Sequence, residues 1–245
     1  MSLGDLFRQL SLLVGTPAVV LAGIAAVLIV VPRDWRIVLF GYAVVTVMLS
    51  LLLSQVVPAE WALQQAIAGG MVAIMLFLSA RELGGPVQAR LSRSAAWPRM
   101  ASLTPFRALA VGLAAVTFAA VRESVDVPII SPLFRDAALW LGLIGLVGLA
   151  LHEEPLHAGL SLLTFLGAAE LVIFTLIQRQ MLVGLLQGGQ VLLGLAIAYL
   201  VVANGLALTR SPMVDEGPDE WEPTGGAAIA GAAVTGGDAV TRGDA

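Results

Sequence analysis

Long apolar runs, each closed by a proline or a short charged turn, recur along this chain up to Arg210. A helix of about 20 mostly apolar residues crosses a bilayer, because it satisfies its own backbone hydrogen bonds in hydrocarbon. The runs fall at residues 12–31, 37–57, 60–80, 108–121, 137–151, 156–177 and 182–208. Those at 108–121 and 137–151 are short. The first extends upstream to Leu103, with Arg107 snorkelling outward, and the second extends upstream toward Ile129. The pattern predicts an all-α polytopic membrane bundle of about seven transmembrane helices.

Composition agrees. Hydrophobic residues make up 58% of the 245 and charged residues 12%, about half the charged share of a soluble domain. The chain has no cysteine, which excludes disulfides, cysteine-ligated zinc and iron–sulfur clusters. Its arginines form no stripe interleaved with aromatics, so no nucleic-acid partner is expected. No Walker loop, nucleophile elbow or HExxH motif is present, and catalysis by this chain alone is not indicated. No cofactor is implied.

Polar stretches divide the chain into four parts. Residues 1–80 form an N-terminal module of three helices. Residues 81–107 hold Arg81, Arg90, Arg93, Arg99 and Arg107, broken by Pro86, Pro98 and Pro105, and read as a basic loop between modules. Residues 108–210 form a C-terminal module of four helices. Residues 211–245 open with acids and continue as a Gly/Ala/Thr/Asp run, which buries too little surface to offset ordering and reads as disordered. The first ten residues lack a basic start and a small-residue cleavage site and are expected to be retained.

With seven spans, Arg33, Arg36, the loop arginines and Arg210 share one side. Arg8, Arg122, Arg135 and Arg179 share the other. The excess places the first group in the cytoplasm, the N-terminus outside and the tail inside, in a bacterial inner membrane.

Glu170 is the exception within the apolar runs. It sits roughly 10 Å along the helix from Ile177. An intramembrane acid is costly, usually faces a bundle interior or wet cavity, and marks an ion or proton pathway by default. Its own helix face is apolar, so its partner has to come from another helix. The last span offers Gln187, Gln190 and Asn204, which fall on one stripe at helical spacing and are expected to line the pathway. A purely structural acid, hydrogen-bonded to an amide, would instead add on the order of 1 kcal/mol to helix association.

His152, Glu153, Glu154 and His157 flank the start of the same helix, at Pro155. These are ligand types for a metal, but acids and proline at a helix start are accounted for by capping. No metal site is expected. Glu60, at the start of the third span, is read in the same way.

The stretch 139–208, with GLSLLTFLGAAELVIFTLI, a short turn and GQVLLGLAIAYLVVANGLAL, resembles the small three-helix K-type subunit of respiratory complex I. It is also similar to that subunit's relatives in Mrp-type antiporters and membrane-bound hydrogenases. Glu170 matches the family's first intramembrane glutamate. The second has no match, and Asn204 lies near where it would fall. The whole chain is similar to bacterial membrane proteins associated with complex I-like transporter subunits. The resemblance implies an accessory subunit of a proton- or cation-translocating complex, partnered by other membrane subunits and the lipid bilayer, with Glu170 as proton relay. A self-contained secondary transporter and a non-conducting assembly protein are the alternatives.

Overall fold

The computed structural model describes residues 15–32, 34–94, 103–124, 130–177 and 179–210, without the side chains of 83–94, 103–104 and 207–210. The expectation of a disordered tail therefore lies outside the described residues. Every element among them is an α-helix: α1 (Thr16–Val30), α2 (Trp35–Leu53), α3 (Ala59–Ser94), α4 (Leu103–Ser124), α5 (Pro132–Leu151), α6 (Pro155–Leu176) and α7 (Gln180–Arg210). Six of these, α2 to α7, are long and apolar enough to cross a membrane. The fold is a polytopic membrane helical bundle.

α1 is shorter than its apolar run. Its 15 residues reach about 22 Å, less than the hydrocarbon thickness of about 30 Å. It begins directly after Gly15, whose φ of 113° is open to glycine alone among ordinary residues. Prolines sit in the first turns of α1, α5 and α6, where the missing N–H costs no helical bond. α4 starts at Leu103, as its short apolar core requires.

The basic interval is not a loop throughout. α3 continues through Arg81 and Pro86 to Ser94. Proline removes one backbone donor from a helix, yet the arginine, glutamate, glutamine, alanine and leucine around it are good helix formers. Over 36 residues α3 spans about 54 Å, well beyond a bilayer's apolar core.

The chain order brings α1 against α2 and α5, α3 against α2 and α7, and α6 against α5, α7 and α2. The core runs through α2 and α6, with Val38, Tyr42, Leu52, Leu160, Leu163 and Phe174 nearly fully buried. α4 lies at the rim against α5, held by an edge-on Phe118–Trp140 contact at 5.3 Å and an Arg122–Asp136 ion pair at 2.9 Å. Its Leu109, Leu113 and Val116 face outward, as do Met181, Leu185 and Leu192 of α7, which suits contact with lipid.

Small residues set the helix spacing. A Cβ at Gly145 on α5 would meet the Phe165 backbone nitrogen of α6 at 2.8 Å. A Cβ at Gly194 on α7 would meet Val72 of α3 at 2.7 Å, and one at Gly167 on α6 would meet Leu49 of α2 at 2.8 Å. Gly69 on α3 abuts Thr46 of α2 still more closely. Such approaches are how membrane helices gain packing energy without a hydrophobic drive.

Candidate functional site

Four side chains from three helices meet inside the bundle. Glu170 on α6 is 2% exposed, Gln65 on α3 is 3%, and Gln187 and Gln190 on α7 are equally buried. Gln65 Nε2 donates to Glu170 Oε2 at 2.8 Å and to Gln190 Oε1 at 3.3 Å. Gln187 Nε2 donates to Gln65 Oε1 at 3.0 Å. The two α7 amides therefore reach the acid through Gln65.

The helices place these groups at one depth. Gln65 lies six residues into α3, Glu170 six residues before the end of α6, and Gln187 seven residues into α7, each about 9 to 10 Å from its helix end. The glycine contacts carry them together. Gly69 is one turn beyond Gln65, Gly194 one turn beyond Gln190, and Gly167 one turn before Glu170.

Tyr42 on α2 completes the cluster. It is 1% exposed, and its hydroxyl lies beside Thr46 and Gln190, with Glu170 near enough to act on it electrostatically. Among the described residues, Glu170 Oε1 and Gln187 Oε1 have no hydrogen-bond partner. A cavity of about 10 Å³ lies against Glu170, Gln65, Gly167 and Phe174, about the room one water needs. Burial penalises a charged carboxyl unless it is paired. Among the described residues no basic side chain meets Glu170. The site can hold an acid by amides and change its proton without breaking an ion pair.

Asn204 does not belong to the cluster. It is exposed, near the far end of α7. The stripe it shares with Gln187 and Gln190 drifts over fourteen or more residues, because a straight helix repeats every 3.6 residues rather than 3.5. Gln65 was the residue the sequence reading passed over. Its signal was the spacing Ala62, Gln65, Gly69, Val72, Leu76, one buried stripe interrupted by one amide.

The α5–α6 turn forms a second polar cluster. The rings of His152 and His157 stack at 5.0 Å, 9° from parallel. His152 Nδ1 lies 2.8 Å from the Gly148 carbonyl oxygen, and His157 Nδ1 lies 3.0 Å from Glu154 Oε2. Burial holds the His152 ring below its ordinary value, with His157 and Arg107 adding in the same sense against the Gly148 carbonyl. The His157 ring holds the Glu154 carboxyl below the usual range. Glu154 caps α6 through its backbone position, and its side chain makes no bond to the helix N–H groups. The capping expected of that carboxyl is replaced by its contact with His157. Among the described residues, no group of three metal-ligating side chains is disposed to hold an ion.

The chain matches no protein-family model, no curated protein and no solved structure.

Proposed function

We propose that this chain is an accessory membrane subunit of a proton- or cation-translocating complex akin to complex I and Mrp-type antiporters, with Glu170 as its proton-carrying group. The observation that carries this reading is the setting of Glu170. An acid buried in an apolar bundle, met by amides and by no cation among the described residues, gains and loses a proton with little rearrangement of charge around it. Gln187 and Gln190 act as polar lining through Gln65. With the short α1 counted as a seventh crossing, the protein sits in a bacterial inner membrane with its N-terminus outside and its tail in the cytoplasm, and its partners are other membrane subunits. The K-type resemblance of residues 139–208 supports the same class of complex.

A second reading, a non-conducting assembly protein, draws on the glycine contacts of α5 with α6. One substitution separates the two. Glu170→Gln keeps shape and hydrogen-bonding capacity but cannot release a proton. In vesicles reconstituted with the assembled complex, a relay role gives lost flux at unchanged assembly. Unchanged flux at normal assembly rejects the relay and leaves Glu170 a packing residue.

A further inference from the structure

The hydrogen bonds of the buried site have one direction. Gln187 donates to Gln65, and Gln65 donates to Glu170 and Gln190. This polarity suits an ionised carboxylate, which only accepts. A protonated carboxyl carries a hydrogen that needs an acceptor. On Oε2, that hydrogen would confront the Gln65 NH₂, donor against donor. A half-turn of the Gln65 amide removes the conflict, because its oxygen and nitrogen ends have nearly the same outline. The Gln65 oxygen then accepts from Glu170, and its NH₂ turns to Gln187, whose Oε1 is buried and without a partner among the described residues. Gln190 has to turn as well, presenting NH₂ where it presented oxygen. The Tyr42 hydroxyl beside it, within reach of Thr46 and Gln190, both donates and accepts, and fits either orientation.

We propose that the Gln65 amide reverses when Glu170 takes up a proton, and that Gln187, Gln190 and Tyr42 reverse with it. The helices α7 and α2 then report the protonation of an acid on α6. This rests on Glu170 being a group that gains and loses a proton. The chemical step is proton uptake alone: one O–H bond forms on the carboxylate and no other covalent bond changes. From α2, Tyr42 is the titratable side chain that interacts with Glu170. From α3 and α7, the facing groups are neutral amides. α5 and α1, also packed near α6, present no charged group to Glu170 among the described residues. Gln65 is a positioning residue: it transmits the state of Glu170 and carries no proton itself.

The test is the infrared difference spectrum of the full chain in vesicles between alkaline and acidic buffer, with glutamine side chains isotope-labelled to mark their carbonyl band. The expected result is a carboxyl band lost in Glu170→Gln, accompanied at the same midpoint by a shift of a glutamine carbonyl band. In Gln65→Leu the glutamine shift is lost, while the carboxyl band persists with a displaced midpoint. A carboxyl band with no glutamine shift in the wild type overturns the reversal and leaves the relay standing. So does a glutamine shift that survives Gln65→Leu unaltered. Absence of any carboxyl band assignable to Glu170 removes the relay and the reversal together. Should Gln65→Leu fail to assemble, Gln65→Met keeps the length without the amide, and the labelled wild type by itself decides whether the two bands move together.

Discussion

Gln65 Nε2 and Glu170 Oε2 are joined at 2.8 Å across 105 residues of chain. That bond ties α3 to α6, and α7 joins it through Gln187 and Gln190. In the proposed reading, α3 takes part through this tie.

Removing the tie should destabilise the bundle. Gln65→Leu leaves Glu170 and Gln187 buried without their shared partner, at a cost of about 1–3 kcal/mol for each stranded group. Thermal unfolding in detergent should show a clear fall in midpoint. An unchanged midpoint would mean that the amides are satisfied elsewhere and that Gln65 holds nothing together.

Glycine substitutions should divide sharply. At Gly194 an added Cβ meets Val72 at 2.7 Å, whereas at Gly184, on the same helix, nothing lies within 4 Å. Gly194→Ala should cost about 1–3 kcal/mol through overpacking. Gly184→Ala should be neutral or stabilising by up to about 1 kcal/mol, because alanine is the better helix former. Equal midpoints for the two variants would contradict the close α3–α7 contact.

Acid should weaken the α5–α6 turn. His152 is held below its ordinary 6.5 chiefly by burial, so the unfolded chain binds a proton that the folded chain resists. Stability then falls as pH drops below about 6.5 toward the lowered value. Glu154, held below 4.5 by the His157 ring, adds stability that is present above 4.5 and lost as pH falls through its own lowered value. Its side chain is 75% exposed, so screening keeps that share small. The melting midpoint should decline first below about pH 6.5, and His152→Asn should flatten that segment. A variant curve parallel to the wild type would assign the decline to other groups.

Orientation is open to direct labelling, because the chain has no cysteine of its own. Glu60 lies in the first turn of α3 and Ser92 near its end, roughly 48 Å apart along the helix. Glu60→Cys should react with an impermeant thiol reagent in intact cells, and Ser92→Cys should be protected. The reverse pattern would invert the N-out arrangement.

The membrane fold was legible because apolar length is a local property: α2 and α4 to α7 start within a few residues of their apolar runs. Less legible was the end of α3, where Pro86 marked a break that its helix-forming neighbours override. Glu170 stood out as a charge where charges are expensive. Gln65 did not, since one amide near a helix start looks like ordinary interfacial polarity. The stripe from Ala62 to Leu76 separates it from Gln64 beside it, but its use shows only in the meeting of α3, α6 and α7. Asn204 erred the other way, because a stripe extrapolated over several turns rotates off its face.

Neighbouring helices lie about 8–10 Å apart, depending on what stands between them. Gly69, Gly167 and Gly194 bring their helices close just where the polar side chains begin. One amide is then long enough to join two helices directly, and the space left at Glu170 is about that of a single water. In the proposed role, a proton passing this point is not carried along a file of solvent. It stays on the Glu170 carboxyl while the neighbouring amides turn, so loading and release should run at the pace of rotamer change and be indifferent to osmotic stress, which drains water-filled pores.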